Sequence, residues 1–173
     1  MQQDIFIEQI VARKMRGIDY AFLVLALLGA VSGAFFISVI FPIAGLVPIV
    51  VFAFCFGLYR LYQNFHVEFE YIFTNGELDI DRIVYKKRRK RLLTIDVRAF
   101  ELLAPMRKAY AHEFEQRREG ANLLDIASSP RVEGRWFASF SKNGTRTLMT
   151  FQPNEQVLEA IVKYIPGKVK REE

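Results

Sequence analysis

The sequence predicts an α+β membrane protein: a transmembrane helical hairpin, then a small antiparallel β-barrel with a C-terminal capping helix. Three observations predict this. No charged residue occurs between Asp19 and Arg60. From residue 66 onward apolar and polar side chains alternate at the period of a strand, twice around an Asn–Gly pair. The last apolar pattern, in "NEQVLEAIVKYI", has the period of a helix instead. The 173 residues hold one ordinary domain and some extra, and the charge-free stretch is the extra.

Residues 1–17 form an amphipathic N-terminal segment. In "DIFIEQIVARKM", Ile7, Ile10, Val11 and Met15 fall near one helical face with Arg13 and Lys14 opposite. A short helix is expected, lying in the membrane interface or packed on the C-terminal domain.

Residues 18–62 make the hairpin. About 20 apolar residues cross a hydrocarbon core as a helix, and the stretch is about two such spans long. "FPIAGLVP" divides it, because Pro42 and Pro48 are poor interior helix residues and Gly45 permits a tight turn. The apolar run is too long for a signal peptide, and a second run follows at once. A re-entrant second segment is the rival reading, since that segment is short. Helix continuing through Arg60, with its head snorkelling to water, restores the length. Arg13, Lys14 and Arg16 precede the first span, Arg60 and a basic run follow the second, and the loop has neither Lys nor Arg. By the positive-inside rule the protein is multi-pass in the cytoplasmic membrane with both termini cytoplasmic. Gly29 and Gly33 form a G-x-x-x-G pair that packs the second span or a second copy of the chain, making a homodimer. Cys55, the single cysteine, excludes an internal disulfide and is read as a packing residue.

Residues 63–173 are expected to be cytoplasmic. "VEFEYIFT" and "ELDIDRIVY" flank Asn75–Gly76 as a hairpin, and "LLTIDVRAFELLAP" supplies a third strand. "MRKAYAHEFEQRREGANLL" reads as a charged surface helix or a long loop, and "LLDIAS" as a short strand. "RWFASFSK" and "TRTLMTFQ" flank Asn143–Gly144 as a second hairpin. Pro153 and Pro166 bracket the closing helix, whose apolar face is Val157, Leu158, Ile161, Val162 and Ile165.

The stretches "FTNGELDIDRIVYKKRRKRLLTIDVRAFELLAP" and "NGTRTLMTFQPNEQVLEAIVKYIP" resemble small, uncharacterised bacterial two-span membrane proteins that carry a bacterial pleckstrin-homology-like (PH-like) domain. The resemblance covers most of the chain from about residue 20 and implies an antiparallel barrel capped by a C-terminal helix. It departs most at residues 106–134 and implies no activity. Phosphoinositide-binding pleckstrin-homology domains cluster their bases around the first hairpin loop. Here that loop is "TNGE", so specific phosphoinositide recognition is not implied.

Lys86, Lys87, Arg88, Arg89, Lys90 and Arg91 are six consecutive bases in a chain of net charge +5, so the basicity is local. The first strand leaves the second span and the Asn–Gly turn sends the next strand back. The run therefore returns toward the bilayer end of the sheet and is expected to contact anionic head groups, each nearby base contributing about 1 kcal/mol. A solvated hairpin end and an acidic protein partner are the rivals. Nucleic acid is argued against, because no aromatic interleaves with the run to stack bases.

No catalytic, cofactor or metal motif is found. His66 and His112 are far apart, and His112–Glu115 alone is a weak pair. Asp79 and Asp81 share a strand face that needs polar residues anyway, and of Trp136 and Phe137 one must fill the core. The expected protein is a non-enzymatic, membrane-anchored binding or assembly module without a cofactor. Its partners would be the bilayer and a protein of unspecified identity. The alternative is an accessory subunit or regulator of a membrane transporter or envelope-stress system.

Overall fold

A computed structural model describes residues 4–40, 46–130, 132–142 and 144–170. The chain divides into two units, Met1–Arg13 with Glu68–Glu173, and Lys14–Val67. Pro42 and Gly45 of the expected loop and Asn143 of the second Asn–Gly turn lie outside the described residues.

The second unit contains α1 (Gly17–Ile40) and α2 (Leu46–Phe65). Asp19 accepts from the Arg16 backbone N–H at 2.8 Å and so ties down the start of α1. Gly33 lies against the ring of Phe54, where a Cβ would come within 3.0 Å, and Phe22 meets Phe65 edge-on at 6.2 Å. Both contacts fall on one antiparallel register, so α1 and α2 pair as a hairpin. Pro48 is in the first turn of α2, where its missing N–H has no helical partner to lose. Among the described residues α1 is the one helix long and apolar enough to cross a membrane. Only 6% of its most apolar window is buried, unlike the core helix of a soluble protein.

The first unit holds two four-stranded sheets. The strands are β1 (Phe6–Ala12), β2 (Val67–Thr74), β3 (Glu77–Val84), β4 (Arg88–Asp96), β5 (Phe100–Pro105), β6 (Asn122–Asp125), β7 (Trp136–Lys142) and β8 (Thr145–Phe151). Sheet 1 runs β1-β2-β3-β4 and sheet 2 runs β5-β7-β8-β6. The helices are α3 (Ala111–Arg118) and α4 (Glu155–Tyr164).

Three expectations are corrected here. The N-terminal segment is a strand, not a helix: Phe6 to Ala12 pair antiparallel with Thr74 to Glu68. Its apolar residues fit a helical face better than a strand, since Ile10 falls on the face opposite Ile7 and Val11, but pairing with the edge of β2 makes it a strand. The predicted closed antiparallel barrel is instead two separate sheets, one of them mixed, since β6 runs parallel to β8. The predicted third strand is split into β4 and β5. Asp96 caps a 3-10 turn at Val97–Ala99, accepting from the Arg98 N–H at 2.8 Å, and the chain leaves sheet 1 there.

The main core lies between the inner faces of the sheets and α4. Tyr71, Phe73, Leu78, Ile80, Phe140, Met149, Phe151, Val157 and Ile161 have 0% exposure. Asn154 caps α4 by accepting from the Val157 N–H at 2.8 Å. Gln9 of β1 reaches the same corner, donating to Gln152 O at 2.9 Å and accepting from the Asn154 N–H at 2.7 Å. Gly76, at φ 97°, faces Tyr164 at the end of α4, where a Cβ would come within 2.9 Å. Residues 106–134 form α3 and β6 over the outer face of sheet 2. There Phe114 meets Phe137 at 5.4 Å, and Phe137 is the core member of the Trp136–Phe137 pair.

Tyr71 links the sheets by a polar contact inside this core. Its hydroxyl donates to Ile126 O at 2.6 Å and accepts from the Gln152 N–H at 3.3 Å. Burial pushes the phenol pKa upward, so it stays a donor. Tyr71→Phe is expected to cost about 1–3 kcal/mol by stranding these buried backbone groups. Denaturant unfolding checks it, and an unchanged midpoint would show that water replaces the hydroxyl.

Candidate functional site

The basic run does not form a simple loop. Tyr85 and Lys86 have φ of 50° and 54°, and the Lys87 N–H donates to Val84 O at 3.1 Å, closing the turn. Left-handed backbone costs a non-glycine residue roughly 1 kcal/mol or more. Lys86 and Lys87 occupy this turn, while Arg88 to Arg91 already belong to β4.

A bulge between Ile80 and Asp81 decides where those arginines point. Side chains alternate along a strand, so Arg89, Arg91, Leu93 and Ile95 would share one face of a regular β4. The bulge leaves Leu92 without a cross-strand partner and reverses the alternation. Leu93 and Ile95 therefore enter the core, while Arg89 and Arg91 turn to the outer face beside Asp79, Asp81 and Glu70.

That outer face neutralises two of the six bases. Arg89 lies 2.6 Å from Glu70 and 3.8 Å from Asp81, and Arg91 pairs with Asp81 and, at 2.5 Å, with Asp79. Glu70 and Asp81 are 2% and 1% exposed. Asp81 is thus a buried ion-pair partner rather than the solvent-facing residue expected. Its hydrogen bond raises the Arg91 pKa further. Burial, and then a hydrogen bond with Glu8, hold Glu70 above the usual glutamate range, with Arg89 opposing.

Because the folded pKa of Glu70 is raised, its stabilising contribution is complete below the unfolded value and declines as pH rises through the folded one. Glu70→Gln should therefore gain stability relative to the parent as pH rises from about 4.5 upward. Paired thermal melts at acidic and neutral pH measure this. A difference that stays flat or shrinks with pH would contradict it.

The other bases make a second group. Lys86, Lys87, Arg88 and Lys90 are exposed and have no carboxylate partner among the described residues. The structure adds Arg82 of β3, which the sequence reading omitted. It is exposed and stands directly opposite Lys90 in the ladder, two like charges side by side. All five lie at the end of sheet 1 where β1 finishes and β2 begins, because Val84 returns to the level from which β2 set out.

The remaining candidates do not assemble into a reactive site. Gly33 packs on Phe54, whereas a Cβ added at Gly29 would meet no neighbouring side chain within 4 Å. Cys55 is exposed on α2. His112 is exposed on α3, and His66 sits at the end of α2 with its ring 4.3 Å from that of Tyr62. Among the described residues no group of three metal-ligating side chains forms.

A family model described as "Bacterial PH-like domain (DUF6106)" matches residues 3–171. No curated protein and no solved structure matches the chain.

Proposed function

The chain belongs to this bacterial PH-like domain family, and from that premise we propose a membrane-anchored, non-enzymatic binding or assembly module. Its five-base sheet end contacts anionic lipid head groups. The observation that carries the reading is the Arg82–Lys90 pair together with Lys86, Lys87 and Arg88, five cations with no carboxylate partner among the described residues. Like charges directly opposite in a ladder are destabilising, and an anionic surface relieves exactly that repulsion. The contact is narrower than six bases, since Arg89 and Arg91 are already held by Glu70, Asp81 and Asp79.

Strand pairing combined with the apolar α1 supports a reading of two crossings. β1 precedes α1, β2 follows α2, and the two strands pair along seven residues. Both therefore lie on one side of any bilayer, and the chain between them crosses an even number of times. If α1 spans, α2 returns. The bases around the helices, with none at 41–45, favour the cytoplasm as the shared side. β1 is an edge strand exposing Phe6 (65%) and Ile10 (56%), and this is the apolar surface a protein partner would meet.

Cysteine accessibility tests the topology. In a Cys55→Ser background, a membrane-impermeant maleimide applied to intact cells should label Ala44→Cys and leave Lys170→Cys unlabelled until lysis. Labelling of the second position from outside, or of neither position until lysis, overturns the proposed arrangement.

A further inference from the structure

Residues 106–134, which the lipid-contact reading does not use, build a cleft of about 230 Å3 between α3, β6 and the outer face of sheet 2. Its lining includes apolar Met106, Phe114 and Leu148 and charged Arg118, Asp125 and Arg135. Arg135 is 8% exposed. It donates to Pro130 O at 2.7 Å, to Asp125 at 3.0 Å and to the Thr150 hydroxyl at 3.0 Å, and its Nε has no acceptor. An unmet buried donor costs about 1–3 kcal/mol, more on a charged group, and native structures keep few of them.

We propose that this cleft binds a short aliphatic carboxylate, its head group between Arg118 and Arg135 and its tail on Met106, Phe114 and Leu148. Charge argues for the head group: the charged side chains that line the cleft are two guanidiniums and one carboxylate. The Arg118–Glu115 contact, at 3.4 Å and exposed, is too weak to compete. Asp125 is the more exposed member of its pair, 42% against 8% for Arg135, so an entering carboxylate takes the guanidinium from the Asp125 side. Size argues for a short tail, since the volume falls below the roughly 300–1,000 Å3 of ordinary small-molecule pockets.

The test uses the full chain in zwitterionic nanodiscs with 13C-methyl-labelled methionine, octanoate as probe and octan-1-ol at matched free concentration as the neutral control. Met106 reports the cleft, and Met15 reports partition into the bilayer. The Met106 signal should shift saturably, with octanoate at least tenfold tighter than octanol. Asp125→Asn should tighten octanoate, and Arg118→Gln should erase its advantage. Equal affinities for acid and alcohol, or non-saturating shifts of Met15 and Met106 together, overturn the proposal. The result does not depend on whether the five-base end touches lipid.

Discussion

A chain in which residues 13–67 are replaced by Asn–Gly should fold as a soluble domain, whereas residues 68–173 alone should be less stable by on the order of 3 kcal/mol. The reason is that the helices interrupt a β-hairpin. Ala12 pairs with Glu68, and a two-residue Asn–Gly loop joins antiparallel neighbours with the twist they need. Starting at residue 68 instead deletes β1. Val11 is then lost from the core, and Gln9 no longer bonds Gln152 O and the Asn154 N–H at the start of α4. Val11 accounts for about 1.5–3 kcal/mol and each hydrogen bond for about 1, set against the entropy of ordering one strand. Against a total stability of about 5–15 kcal/mol this is a large fraction. Urea titrations of both proteins measure the difference. Equal midpoints would mean that β1 is a passive edge, and the insertion view of the helices would lose its structural basis.

How much of this was legible in the sequence depends on the range of the interaction that decided each element. Helix ends and turns were readable because their causes are local: Pro153 and Pro166 around α4, and Asn75–Gly76 between alternating runs. The PH-like assignment, made on the hairpin and closing-helix stretches, agrees with the family match. β1 was misread because Ile7, Ile10 and Val11 satisfy a helical face, whereas in the strand Ile10 lies on the face opposite the other two. What chose between them is β2, some sixty residues away. The split of the basic run was illegible for another reason. It depends on a bulge at Leu92, and nothing in "RRKRLLTID" marks which residue will lack a partner. Arg82 was passed over because three residues separate it from the run, although strand pairing brings it opposite Lys90. The parallel β6 and the cleft beneath α3 arise from residues 106–134, whose mixed charges carry no clean period.

The largest functional effect is expected from neutralising the five-base group and sparing the rest of the run. Changing Arg82, Lys86, Lys87, Arg88 and Lys90 to Gln in the Asn–Gly-linked domain should weaken its flotation with anionic vesicles by more than three orders of magnitude. Each base near such a surface contributes about 1 kcal/mol, and 1.4 kcal/mol is tenfold. Arg89 and Arg91 have to be left in place. Removing them would strand Glu70 and Asp81, 2% and 1% exposed, and uncovering one partner of a buried pair costs about 3–5 kcal/mol. A variant lacking all six bases of the run could therefore lose lipid binding merely by unfolding. The converse variant, Arg89→Gln with Glu70→Gln, removes a charge from the run while keeping its buried partner neutral, so it should bind vesicles like the parent. Raising salt from 0.1 M to 1 M should mimic the five-base variant, because the screening length falls from about 10 Å to about 3 Å. Should the five-base variant bind anionic and neutral vesicles as the parent does, the unanswered Arg82–Lys90 pair must be met by something other than lipid, and an acidic protein surface becomes the partner to seek.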